Sequence, residues 1–129
     1  MPWAFFDGAS QGDPPLGGVG AVIFFSATKK KKIKYAMGHA SNNKAELSAL
    51  WATLRVAQNS QIQEIQIFGD SKVVIDWENE QNNIRAPHLQ HLLAKIQSLK
   101  SSFRRISFGH VYHELSMEAD SLSKQPLAY

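Results

Sequence analysis

Ile62-Gln63-Glu64-Ile65-Gln66-Ile67-Phe68-Gly69-Asp70-Ser71 sets apolar residues at Ile62, Ile65, Ile67 and Phe68 and stops at Gly69-Asp70. That pattern has the period of a strand, whose successive side chains point to opposite faces. The period changes on both sides. From Lys44, residues Glu46, Ala49, Leu50, Thr53, Leu54 and Ala57 fall on one face of a helix, and from Ser71 to about Glu80 the pattern is helical again. A strand entered and left through helices adds to its neighbour in parallel, because a parallel connection needs a long crossover.

The neighbours lie further out. Trp3-Ala4-Phe5-Phe6 reads as a short buried strand, Gly20 to Ser26 as a second, and about Lys31 to His39 as a third. The glycines and prolines from Gly8 to Gly18 predict a tight loop between the first two. Strands two and three predict a hairpin tipped by lysines. Downstream, Asn79, Gln81, Asn82 and Asn83 form a polar break. Pro87 then opens a helix to about Lys100 with Leu89, Leu92, Leu93, Ile96 and Leu99 as its apolar positions. A strand from Phe103 to His110 and a short helix from Ser116 to Lys124 close the chain. The order β-β-β-α-β-α-α-β-α predicts an α/β fold with a five-stranded mixed sheet flanked by helices. Three of its strands are antiparallel and the later ones are added in parallel.

The chain has 129 residues, 43% of them hydrophobic, which suits one domain over residues 1–129. It has no cysteine, which excludes disulfides, thiolate metal sites and a cysteine nucleophile. The longest apolar stretch, Val19 to Phe25, is far below the roughly 18 residues of a membrane span. The expectation is a soluble, untargeted monomer with no membrane partner, intracellular in either nucleus or cytoplasm. The net charge is +3, but Lys29 to Lys32 and Lys34 supply five of the positive charges, and without them the balance is 3 − 5 = −2. Strands of about seven residues would hold a lysine tip roughly 20 Å from the far end of the sheet. That position suits a solvated edge that resists aggregation, with distant phosphates or nuclear targeting as other uses.

Four acids have bland readings one at a time. Asp7-Gly8 makes a turn, Asp70 a helix N-cap, Glu46 a capping box with Asn43, and Asp120 a surface acid. Together they read differently. Parallel strands deliver Asp7 and Asp70 to one edge of the sheet, the carboxyl-end edge where ligands of open α/β sheets bind. The third strand feeds a helix that starts at that edge with Glu46 in its first turn, and Asp120 follows a strand ending there. Four carboxylates gathered in low dielectric repel one another unless cations neutralise them, and Mg²⁺ or Mn²⁺ suits their oxygens.

Five segments carry a resemblance: Asp7-Gly8-Ala9-Ser10, Gly17-Gly18-Val19-Gly20-Ala21, Asn42-Asn43-Lys44-Ala45-Glu46-Leu47, Gly69-Asp70-Ser71 and Glu118-Ala119-Asp120-Ser121-Leu122. In this order they resemble the ribonuclease H family over nearly the whole chain. Gly69-Asp70-Ser71-Lys72-Val73-Val74-Ile75-Asp76-Trp77 and the closing Glu-Ala-Asp are most similar to the reverse-transcriptase-associated domains of plant retroelements. Such a domain can be part of a larger polyprotein.

The resemblance implies endonucleolytic hydrolysis of the RNA strand of an RNA/DNA hybrid. It makes Asp7, Glu46, Asp70 and Asp120 the holders of two Mg²⁺ ions, with Mn²⁺ able to substitute. It gives His110 a part in proton transfer or product release. Asn42 and Asn43 match residues that touch the minor groove. Gly8, Ala9, Ser10, Gln11 and Gly12, with Asp13 and Ser71, belong near the RNA strand, where 2′-hydroxyls distinguish RNA from DNA.

The chain departs from the family at three places. Asp13 and Ser116 stand where asparagine is common, and Asp76 to Pro87 is too short for the basic protrusion of some members. These departures keep open a non-catalytic module that binds hybrid or double-stranded RNA. A nuclease or transposase acting on DNA is a third reading.

Overall fold

The computed structural model describes residues 1–79 and 83–111. Its elements are strands β1 (Trp3–Gln11), β2 (Leu16–Phe24), β3 (Lys30–His39), β4 (Glu64–Gly69) and β5 (Arg105–His110), with helices α1 (Asn42–Asn59), α2 (Lys72–Glu78) and α3 (Gln90–Lys100). A 3₁₀ turn at Pro87–Leu89 leads into α3. The sheet order is β3-β2-β1-β4-β5, antiparallel across β1–β2–β3 and parallel across β1–β4–β5. The mixed five-stranded sheet is therefore as the periodicities predict. The proposed helix at Ser116–Lys124 lies outside the described residues.

Two expectations about the meander are corrected. The tight loop expected over Gly8 to Gly18 is confined to its middle, because β1 runs to Gln11 and pairs Gly8 with Val19, Ala9 with Gly18 and Ser10 with Gly17. Only residues 12–15 turn, where Gly12 takes φ +91° and the Asp13–Pro14 peptide is cis. Composition signalled a loop, but backbone pairing needs no side chain, and small residues on both strands let the ladder continue.

Of the five lysines, only Lys29 lies at the tip of the hairpin. The bend lies at residues 25–29, where Phe25 and Ser26 both donate to the Lys29 carbonyl at 2.9 and 3.3 Å. Lys30, Lys31, Lys32 and Lys34 lie within β3, paired with Phe24, Ile23, Val22 and Gly20 of β2.

The two faces of the sheet differ. Leu47, Leu50 and Leu54 of α1 and Leu93, Ile96 and Leu99 of α3 are buried with Ala4, Phe6, Ile23, Ile65 and Ile67 of the strands in one core. Ile33, Tyr35 and Met37 of β3 pack against it, and the Tyr35 hydroxyl donates to the Ser48 carbonyl at 3.4 Å. The alternate positions carry aromatics. Trp3 stacks on Phe24 at 4.0 Å, meets Phe5 edge-on at 5.3 Å, and Phe5 meets Phe68 at 5.6 Å.

Candidate active site

The ladder between β1 and β4 ends at Phe6↔Gly69, so Asp7 and Asp70 follow the last paired row side by side. Glycine is required at two places beside them. A Cβ on Gly69 would lie 2.7 Å from the Phe6 ring, and one on Gly8 would overlap backbone atoms of Ala45 and Glu46. With no side chain at Gly8, α1 lies directly on β1, which carries Glu46 to the strand end.

Among the described residues, Asp7, Glu46 and Asp70 each present a carboxylate oxygen within 4.8 Å of the others. Asp7 is 3% exposed and Glu46 8%, while Asp70 is half-buried. At such spacing two carboxylates repel by on the order of 3 kcal/mol with an effective dielectric near 20. The donor set fits a hard divalent cation. Opposite ligand oxygens in a Mg²⁺ octahedron with bonds of roughly 2.1 Å stand about 4.2 Å apart, so these oxygens are near ligating distance.

The capping readings of these acids do not hold. Ser41 caps α1, its Oγ accepting from the Lys44 amide at 3.2 Å. Asn43 is thus already inside the helix, and Glu46 belongs to the second turn rather than to a capping box. Ser71 occupies the N-cap of α2 without a side-chain hydrogen bond, which leaves Asp70 one residue outside. The signal for Ser41 was present as a serine three residues before Lys44, but the asparagine pair masked it.

His110 closes β5 opposite Gly69, and its Nε2 lies 3.2 Å from the Asp70 carbonyl oxygen. A carbonyl only accepts, so this is a hydrogen bond when Nε2 carries the proton. Asn42 ties the start of α1 to β1, its Oδ1 accepting from the Ser10 amide at 2.9 Å. Gly8 is buried, Ala9 and Ser10 are half-buried, and Gln11, Gly12, Asp13, Asn42 and Asn43 are exposed. Gln11, Gly12 and Asp13 also line an open depression of about 420 Å³ with Pro14 and Leu16. It lies four residues along β1 from Asp7, about 13 Å away along the strand. Asp120 and Ser116 fall outside the described residues.

Residues 5–126 match the family model described as reverse transcriptase-like. The chain belongs to the RNase H-like family. The bifunctional protein Rv2228c of Mycobacterium tuberculosis is 33% identical over 123 residues, which make up 94% of this chain and 34% of that protein. This RNase H-like chain thus spans about a third of the length of the curated relatives it first matches.

Two solved RNase H structures superpose over almost all of it. The RNase H1 of the halophilic archaeon Halobacterium salinarum is 30% identical, with a TM-score of 0.91 covering 98% of this chain and 97% of that one. The N-terminal RNase H domain of Rv2228c is 32% identical, with a TM-score of 0.89 covering 95% of each.

Proposed function

We propose that this RNase H-like chain is a divalent-metal-dependent endonuclease that hydrolyses the RNA strand of RNA/DNA hybrids. The observation that carries the reading is the gathering of Asp7, Glu46 and Asp70 within 4.8 Å at the carboxyl ends of β1 and β4. A fold kept only for binding has no use for three acids that repel one another at that distance. Asp7, Glu46 and Asp70, joined by Asp120, hold Mg²⁺, with Mn²⁺ able to substitute. When bound, two such ions supply a lowered pKa for the attacking water and charge stabilisation for the departing 3′-oxygen.

The remaining roles belong to the chain's own side chains. Asp7 is the central ligand, held in place by its paired strand. Glu46 and Asp70 approach it from α1 and from the end of β4. His110, oriented by the Asp70 carbonyl, stands beside the acids as a proton carrier. The Ser10–Asn42 hydrogen bond fixes the seam between β1 and α1, so that Ala9 to Asp13, with Asn43 and Ser71, present a defined surface to the RNA strand.

Cleavage of an end-labelled RNA strand tests the reading, with Mg²⁺, with Mn²⁺ and with chelator, beside Asp70→Asn. Cutting should be confined to the hybrid, require metal and disappear in the variant, with duplex DNA, duplex RNA and single-stranded RNA left intact. Folded protein that cuts no hybrid in either metal, or cuts equally well as Asp70→Asn, sinks the proposal.

A further inference from the structure

We infer that Lys30, Lys32 and Lys34 form a phosphate-binding rail, one face of β3 that holds the backbone of a nucleic-acid duplex beyond the point of cleavage. The inference rests on the hybrid-cleaving reading above and adds a binding surface to it.

The register carries the argument. Asp7 pairs with Gly20 on β2, and Gly20 pairs with Lys34 on β3, so the three form one row across the sheet. Directly paired residues present side chains to the same face. Neighbouring strands lie about 4.8 Å apart, which puts Lys34 roughly 10 Å from Asp7 between Cα atoms, within reach of one duplex. Lys32 and Lys30 follow on the same face as partners of Val22 and Phe24.

All three lysines are exposed, and Lys30 Nζ lies 5.7 Å from the Phe24 ring centroid, against the aromatic stack. Their spacing is about 6.8 Å per step, against one phosphate per 3.4 Å of duplex axis on each strand. The rail therefore spans about 14 Å, the length of roughly four phosphates on a strand. The rail belongs to the run of Lys29 to Lys32 and Lys34 that supplies the chain's positive balance, since without those five the remainder carries 3 − 5 = −2.

Lysines on an edge strand also discourage pairing between molecules, and β3 is an edge strand. That role is indifferent to face and would be served equally by Lys31, which pairs with the fully buried Ile23 and so belongs to the opposite face. Phosphate binding is not indifferent to face.

Binding of a labelled RNA/DNA hybrid to the full chain in chelator, from 50 to 200 mM salt, separates the two roles. Each phosphate contact contributes about 0.9 to the slope of log affinity against log salt. Replacing Lys30, Lys32 and Lys34 together by Gln should flatten the slope by about 2 to 3. Lys32→Gln should flatten it by about 1, and Lys31→Gln should leave it unchanged. Duplex DNA should show the same pattern, because phosphates carry no sugar identity. Melting curves of the variants should stay close to that of the parent, as every substituted side chain is exposed. An unchanged slope in the triple variant, or equal effects at Lys31 and Lys32, overturns the rail. If the parent chain cuts hybrid under either of these results, the rail alone falls. A parent chain that neither cuts nor binds hybrid removes the rail together with the nuclease reading.

Discussion

Among the described residues acids are buried in two regions, and they stand in opposite surroundings. Glu78, on α2, is 3% exposed. Its Oε1 accepts from Gln97 Nε2 at 3.2 Å, and Lys100 donates to its backbone carbonyl at 3.2 Å. Burial pushes the Glu78 carboxyl up to about 7, against the smaller opposing pull of Lys100 and Gln97. The other region gathers Asp7, Glu46 and Asp70 within 4.8 Å. A lone buried acid lowers its cost by taking up a proton, with an amide and an ammonium for company. Three acids drawn together at strand ends raise their mutual repulsion, which a divalent cation reverses. Burial by itself does not mark a site; convergence of like charges does.

The sharpest way to break this contrast is at Asp7. Asp7→Asn should lower hybrid cleavage by at least about 10³-fold, upwards of 4 kcal/mol in the barrier. Melting curves should cross: in chelator the variant should be at least as stable as the parent, because repulsion is relieved. In Mg²⁺ the parent should gain about 2.7 kcal/mol over its own value in chelator at a hundred times the Kd, and the variant should gain less. A variant that loses stability in chelator would show that the acids are structural.

Gly8→Ala tests how the acids are brought together. The added methyl group overlaps the backbone at Ala45 and Glu46, so α1 must shift. Stability should fall by about 2 kcal/mol or more, and cleavage should fall with it. A fully active, fully stable alanine variant would mean that the close approach is dispensable.

Glu78→Gln tests the other region. The carboxyl sits at about 7 when folded and near 4.5 otherwise. Its folded state therefore binds more protons, and its contribution to stability is complete below 4.5 and lost as pH rises through 7. The glutamine variant should match the parent at pH 4 and exceed it at pH 8, by at most about 3 kcal/mol. Urea midpoints at the two pH values measure this, and cleavage should be unchanged. Smallest in effect, Ser41→Ala removes the cap of the helix that carries Glu46. It should cost about 1 kcal/mol in urea titration while leaving the metal dependence of cleavage intact.

Much of the fold and the site was legible because periodicity is local. Alternation at Ile65 and Ile67, bounded by helical stretches, was enough to make β4 parallel, and a parallel pair must end its strands on one edge. The convergence of Asp7, Glu46 and Asp70 follows from that connectivity. Loop composition misled at Gly8 to Gln11, where small residues serve a ladder and a close helix contact rather than a turn. Ser41 was hidden by the asparagine pair beside it. Glu78 follows Val74 and Ile75 on the buried side of α2, where only its surroundings in space explain why its carboxyl is pushed up.

The lysine run marks the boundary between what sequence and structure each decide. The sequence by itself determined that five positive charges lie together and that the rest of the chain is net negative, because composition needs no coordinates. Only the tertiary structure decided that three of them share a face with Asp7 and that one, Lys34, shares its row. Register is set by which amides and carbonyls pair across β1, β2 and β3, and a slip of one residue would have turned every lysine to the other side.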